Sequence, residues 1–475
     1  MLTLAYVVGG TLYGLLIGII PSVGATTGLV TLFSVLAYFN DPYMAVVFLM
    51  AVVAASTTGD TYASVLLGIP GANSSAATMV DGHPLALQGK ANYALTAAIA
   101  TSTINGLLWG SLTFFLLPYY AKLILILGIP ELWAFTTLAM VMVVFISSKA
   151  WVRSIIAVCL GIFLGLVGMD PVTASDRFTG GWSYLGDGIQ MMPLIAGMFA
   201  IPELLNGFKY TSRPPTHYDD NQTLDGLKAV WIYKWDALRG GAIGAVIGML
   251  PGLGGAVSDW LAYGSTVALN PNEEFGKGNI RGVIGPEGSN NAQKATSMIP
   301  TVLFGIPGAS FAAVLIALFM YLGFEVGTVD MATDTQFFDA LLYGFMGGTI
   351  LVFFICIFAN ETIVKITNIP YKYFFMVVLS FVTWACVQYT GGWEDYAMLI
   401  LASILGVLCK NYKFSRPALI IGYILSERIE SLSVQMTTLY DISSLLERPI
   451  FLTLVGLIAV ILLFGVFNKS KMEYT

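Results

Sequence analysis

The sequence predicts an all-α, polytopic membrane protein made of two structurally related, inverted halves whose helices are broken or re-entrant. Three observations predict it. Of 475 residues, 57% are hydrophobic and only 11% charged, where a soluble domain carries about 25% charged residues. Mean hydropathy is +0.79 over the whole length, and at roughly 20 residues per crossing the apolar stretches allow about ten to twelve transmembrane segments. The pentapeptide Gly-Ile-Pro-Gly-Ala is written twice, at Gly68–Ala72 and Gly305–Ala309, 237 residues apart and each time in a stretch too apolar for a water-facing turn.

The same composition narrows the function classes. Net charge is −6 and no basic run suits nucleic acid. The four cysteines, Cys159, Cys356, Cys386 and Cys409, sit in or beside apolar segments at spacings that match no zinc or redox motif, and read as packing thiols. There is no H-E-x-x-H, no G-x-S-x-G, no Walker loop and no Cys/His cluster, so neither an enzyme nor a cofactor is expected.

The first apolar stretch, "LTLAYVVGGTLYGLLIGII", has no basic flank before it and no small-residue cleavage site, and is read as a retained span. It runs into "GLLIGIIPSVGATTG" (Gly14–Gly28), which matches "GAVIGMLPGLGGAVS" (Gly244–Ser258) at an offset of 230. Each half then reaches its Gly-Ile-Pro-Gly-Ala, and two landmarks in one order at nearly one offset mark an internal duplication. "DGHPLALQGKANYAL" (Asp81–Leu95) is polar and reads as a surface loop with a solvated His83. Further spans fall near 93–117, 131–148, 152–169 and 188–207, with a loop at 170–189 in which Asp176 and Arg177 neutralise each other. The polar interval Lys209–Arg239 is the linker, and its Lys209, Arg213, Lys228, Lys234 and Arg239 mark it as cytoplasmic, as Lys469 and Lys471 mark the tail. Spans follow near 336–358, 371–389, 395–408, 416–427 and 448–467. The division is therefore a first repeat over 1–207, a linker over 208–239, a second repeat over 240–468 and a polar tail over 469–475.

The repeated break carries the chemistry. In hydrocarbon an unpaired amide costs several kcal/mol, so non-helical backbone survives only against protein or a wet cavity. Pro70 lacks an amide and Gly71 tolerates unusual backbone, so together they stop a helix and restart it. The restarted turn has free amides and the positive end of a helix dipole, which suit a carboxylate. The expected substrate-binding residues are Gly71, Ala72, Asn73 and Ser74 at the first corner and Gly308, Ala309 and Ser310 at the second. The polar stretches before each corner add Ser56, Thr57, Thr58, Asn290, Asn291 and the one obvious cation, Lys294. Unwound backbone at Gly24 and Gly254, with Thr26, Ser258 and the intramembrane carboxylate Asp60, is the expected cation site, for Na⁺ as a hard cation that prefers oxygen. A lone Pro-Gly break reads as a kink, and the Gly-rich breaks equally suit close helix packing; it is the duplication and the clustered polar residues that favour a binding site between the halves.

At these residues the chain resembles the large membrane subunit of the bacterial tripartite tricarboxylate transporters. The likeness rests on Gly244–Gly254 and Gly14–Gly24 (with Ser22 for a glycine), Pro70-Gly71 through Asp81-Gly82, Pro84, Ala86, Gly89 and Ala91, "LVGMDPVTASDRFT" (Leu166–Thr179, with Ala174 for a usual glycine), "FGKGNIRGVIGPEGSNNA" (Phe275–Ala292), "RPALIIGYIL" (Arg416–Leu425) and "ERPI" (Glu447–Ile450). The resemblance implies a secondary active transporter of the bacterial inner membrane, driven by a Na⁺ or H⁺ gradient. It implies a small membrane subunit and a periplasmic solute-binding protein that delivers an anionic carboxylate. Asp60 and Lys294 depart from the family's small neutral residues, and they are expected to pair across the halves. The alternatives are an H⁺-coupled carrier of another organic anion, an ion channel and, from another class, a membrane-embedded transferase.

Overall fold

The computed structural model describes residues 2–467 except 22, 125–126, 147–150, 171–174, 209–221, 253, 329–330, 332, 368 and 391. Ser22, Ala174, the first part of the linker and the tail, with Lys209, Arg213, Lys469 and Lys471, thus lie outside the described residues. The regular structure of the described residues is helical but for one short antiparallel pair, β1 (Gly168–Met169) with β2 (Asp176–Arg177).

The first half begins with α1 (Leu2–Ile19), breaks at Pro21, and resumes in α2 (Gly24–Thr31). α3 (Pro42–Tyr62) follows, started by Pro42 in its first turn and by Asp41, whose carboxylate accepts from the amides of Tyr43 and Met44. α1 lies directly on α3 because Gly10, Gly14 and Gly18 recur every fourth residue: a side chain at any of them would run into the carbonyl oxygens of Phe48, Val52 and Ser56. The second half repeats the arrangement. There α10 (Lys234–Gly248) lies on α12 (Arg281–Thr296), and Gly240, Gly244 and Gly248 face the carbonyl oxygens of Gly285, Ser289 and Gln293. The glycines are displaced by 230 residues from the first row and the carbonyls by 237.

Each half also lends a long helix to the other. From the first half, α4 (Ala76–Leu87) leads into α5 (Ala91–Ile124), whose Gly106 backs onto Asn291 of α12. From the second, α15 (Thr335–Phe358) places Gly344 on Val47 and Gly348 on Ala51 of α3. Between these units run α6 (Ile129–Ile146), α7 (Trp151–Gly165), α8 (Met191–Gly207), α9 (Thr223–Ile232), α11 (Gly254–Leu269), α13 (Met298–Phe304) and α14 (Ser310–Tyr321). The chain closes with α16 (Asn360–Ile366), α17 (Tyr371–Thr390), α18 (Glu394–Asn411), α19 (Arg416–Leu439) and α20 (Pro449–Phe467).

Three helices among the described residues are long and apolar enough to cross a membrane singly: Pro42–Leu67, Ala91–Lys122 and Thr335–Phe358. Shorter apolar helices of 10–17 residues include Trp151–Gly165, Met191–Gly207 and Ser310–Tyr321.

Sequence expectations for two loops are corrected here. The segment Asp81–Leu87, expected as loop, belongs to α4, whose helix tolerates Pro84. Its polar residues face protein rather than water: Asp81 is fully buried and accepts from the amides of Gly276, Gly278 and Asn279 at 2.8, 3.0 and 2.9 Å and from the Tyr263 hydroxyl at 3.0 Å. His83 is half-buried, its Nδ1 3.0 Å from the Val65 carbonyl oxygen. Arg177 pairs with Asp170 at 3.3 Å and Glu430 at 2.5 Å, not with Asp176. The described part of the linker is helical, in α9 and the start of α10, and α9 packs against α5 through Gly226.

Candidate functional site

Both Pro-Gly corners are built alike. The helix α3 passes through a π turn at Ala63–Leu67 and stops at Gly68, whose φ of 64° is left-handed; α13 stops at Gly305, with φ 63°. Glycine is the residue that adopts this conformation at little cost, and it ends each incoming arm. After Pro70 and Pro307 the chain is extended at Ala72 and Ala309, then restarts in a 3-10 turn (Asn73–Ser75) leading to α4, or directly in α14. Gly71 and Gly308 let each outgoing arm press on its incoming arm: a Cβ on Gly71 would stand 2.6 Å from Asp60 Cα, and one on Gly308 would stand 2.7 Å from Ser297 Cβ. Each corner is the tip of a buried hairpin.

The two hairpin tips meet. Pro70, Gly71, Ala72 and Ser74 from one, and Ala309, Ser310 and Phe311 from the other, line a single cavity of about 490 Å³. The Gly-rich breaks complete the wall with Gly24, Ala25, Thr26 and Thr27 on one side and Gly252, Gly254, Gly255 and Ala256 on the other. Gly24 and Gly254 both have positive φ, 57° and 67°, and each faces the extended alanine of its own half's hairpin, Ala72 or Ala309. Asp60 and Lys294 reach the cavity from the incoming arms, and Phe199, Glu203, Arg416 and Lys413 from α8 and the turn between α18 and α19.

The donors at the second tip are main-chain. The amides of Ala312 and Ala313 bond the Ala309 carbonyl, and Gly308 donates to Thr301 Oγ1 at 3.2 Å, whereas the amides of Ser310 and Phe311 find no acceptor among the described residues. Lys294 is 4% exposed; its Nζ lies 3.4 Å from the Val53 carbonyl oxygen and 3.3 Å from Ser56 Oγ, and 5.7 Å from the centre of the Phe311 ring. Asp60 is fully buried, and neither carboxylate oxygen has a hydrogen-bond partner among the described residues. The expected Asp60–Lys294 ion pair is not made: Lys294 turns to the neutral oxygens of α3, and both groups face the cavity separately.

Of the expected site residues, Gly71, Ala72, Ser74, Lys294, Ala309, Ser310, Gly24, Thr26, Asp60 and Gly254 line this cavity. Ser56, Thr57, Thr58, Asn290, Asn291, Gly308 and Ser258 do not; they are buried behind the wall. Ser56 and Thr57 bond back to the Val53 carbonyl, and Ser258 donates to the Gly255 carbonyl and to Asp259. The side chain of Asn73 lies outside the described residues. Behind the wall sit two further carboxylates. Glu287 of α12 accepts from Thr61 at 3.0 Å and from Thr78 at 2.9 Å, joining the halves, and Asp259 accepts from Ser289.

Sequence reasoning missed the contribution of α8 and of the turn before α19. No motif marks Glu203, which is held by Lys410 at 2.8 Å and Arg416 at 2.5 Å. The one available signal was the cluster of Lys410, Lys413 and Arg416 within seven residues.

Comparison with known proteins adds to this geometry. Residues 4–421 match the model of the Tripartite tricarboxylate transporter TctA family. The chain is 28% identical over 432 residues to a 52.8 kDa protein in the TAR-I ttuC' 3'region of Agrobacterium vitis, covering 89% of this chain and 84% of that one. It is also 28% identical over 217 residues to a protein in the TAR-II ttuC' 3'region of the same organism, covering 45% of this chain and 90% of the other. No solved structure matches the chain.

Proposed function

Because the chain belongs to the tripartite tricarboxylate transporter TctA family, we propose that it is the carrier subunit that imports a small organic carboxylate, of the di- or tricarboxylate class, using a cation gradient. Membership makes it a component of a membrane transport system; the substrate, ion and partners are the proposal. One observation carries the reading: two buried helix starts, one from each half, open onto the same cavity beside a buried lysine. Amide donors, dipole ends and one cation suit an anion that must leave water on one side of a membrane and regain it on the other.

The halves are read as inverted repeats. The reading is supported by the matched glycine rows, the matched left-handed stops at Gly68 and Gly305, and the reciprocal lending of α5 and α15. Asp60 with the hydroxyls of Thr26 and Thr27 fits a hard cation: Thr27 Oγ1 and both Asp60 oxygens are buried, have no partner among the described residues, and belong to residues that line the cavity. These residues would hold Na⁺, with main-chain oxygens near Gly24 completing the set, and the ion would offset the carboxylate charge of the wall while the substrate is bound. In the other half Gly254 stands at the position matching Gly24, and Ser258 at the position matching Gly28. A small membrane subunit and a periplasmic solute-binding protein complete the system, in the inner membrane.

The test is uptake of labelled carboxylates into proteoliposomes holding the chain and its small subunit, fed by the cognate binding protein. Saturable uptake that needs an inward Na⁺ gradient is expected. Uptake driven by a proton gradient alone moves the reading to H⁺ coupling. Turnover of the carboxylate without any gradient would replace the carrier by a transferase.

A further inference from the structure

We infer that Lys413 is a specificity-determining residue, which holds a second carboxylate of the substrate in the cavity that the hairpin tips line. The inference rests on the carrier reading and assigns that site a second anchor.

Lys413 follows α18, in the turn before α19. Its φ is 58°, the left-handed region, at a position where the amide of Phe414 bonds back to the Cys409 carbonyl at 2.8 Å and closes the helix end. This is the place where glycine normally ends a helix, and a lysine there is strained. A residue kept in such backbone points to a use for its side chain. Packing does not supply one: Lys413 is exposed and has no ion pair or hydrogen bond from its ammonium among the described residues. Its neighbours differ in this respect. Lys410 and Arg416 are both committed to Glu203, and Arg416 also donates to the Met198 carbonyl at 3.1 Å.

The committed pair fixes the turn, and the uncommitted lysine is left on the cavity wall with Phe414, Ser415 and Arg416. Ser415 starts α19 by accepting from the Ala418 amide, so the positive end of a 24-residue helix opens on the same wall. The independent sign of a ligand is in the same cavity: Thr27 Oγ1 and both Asp60 carboxylate oxygens are buried, without a partner among the described residues, and belong to residues that line it. The cavity is therefore lined by cations from two different elements, Lys294 from α12 and Lys413 from the turn before α19. A monocarboxylate uses one of them; a di- or tricarboxylate uses both.

Lys413→Gly separates this from folding, because glycine relieves the strained backbone while removing the ammonium. In the proteoliposome assay, wild-type uptake first tests the carrier reading by itself. If it holds, Lys413→Gly should melt no lower than wild type and raise KM for di- and tricarboxylates roughly tenfold, the loss of one charge-assisted contact. KM for monocarboxylates should stay within about twofold, and Lys413→Arg should recover most of the affinity. An unchanged KM for the multivalent substrates would overturn the assignment. So would an equal loss for mono- and multivalent substrates, which would mark Lys413 as a contact for a partner subunit.

Discussion

The two hairpins share a backbone and differ in charge. Gly68 and Gly305, Pro70 and Pro307, Gly71 and Gly308, Ala72 and Ala309 occupy matching places, with left-handed φ at both stops and extended backbone at both alanines. The incoming arms diverge: where the first has Asp60 against its glycine, the second has Ser297, and where the second has Lys294, the first has Thr57. Geometry that both halves keep is what holds broken helices together in a low-dielectric interior. Charge that only one half carries is what a single substrate and a single coupling ion need, since an anion and a cation cannot be served by two identical walls.

The comparison breaks most readily at the shared backbone. Gly71→Ala and Gly308→Ala each force a Cβ to within 2.6–2.7 Å of the facing arm, and overpacking of this kind costs about 1–3 kcal/mol. Both variants should lose nearly all uptake and melt lower, by similar amounts. Loss confined to one copy would mean that the hairpins are not equivalent supports.

The charges are probed by copying one half into the other. Lys294→Thr gives the second arm the residue of the first. Its ammonium is the one buried cation on the cavity wall among the described residues, and charge-assisted contacts are worth about 1.5–3 kcal/mol, so KM should rise by at least about tenfold. Binding titrations of the carboxylate in detergent would check it, and unchanged affinity would remove Lys294 from the site. Asp60→Ser gives the first arm the residue of the second. Removing an unpartnered buried carboxylate should leave folding intact or improved, while the Na⁺ dependence of uptake flattens and substrate affinity at saturating Na⁺ changes little. A variant with normal Na⁺ dependence would assign the coupling ion elsewhere.

How much of this was legible in the sequence follows the same division. The backbone half was: Pro-Gly pairs and Gly rows name themselves, because few other residues serve a broken membrane helix or a contact between helices closer than one side chain. The side-chain half was read only to the depth of the arms. Asn290 and Asn291 look as polar as Lys294 in sequence, yet they lie behind the wall, since one turn of a buried helix turns neighbours to different surroundings. Asp81 read as a loop residue because a buried carboxylate caged by the amides of Gly276, Gly278 and Asn279 needs partners almost 200 residues away, which no local pattern announces. Glu203 and Lys413 reach the cavity from spans whose own periodicity is ordinary.

The smallest expected effect tests what kind of donor the second tip supplies. Ser310 is the first residue of α14 and lines the cavity, and its hydroxyl makes no hydrogen bond among the described residues. If anion recognition there belongs to the main chain, Ser310→Ala leaves the amides of positions 310 and 311 and the helix dipole in place, and a neutral hydroxyl contact is worth about 1 kcal/mol or less. KM should then rise only about two- to threefold, with maximal uptake unchanged. Ser310→Pro removes an amide at a position where proline is otherwise well tolerated at a helix start, and should cost more than the alanine variant. If alanine proves the more damaging of the two, the hydroxyl and not the peptide NH holds the anion, and the equivalence of the two tips as amide donors fails with it.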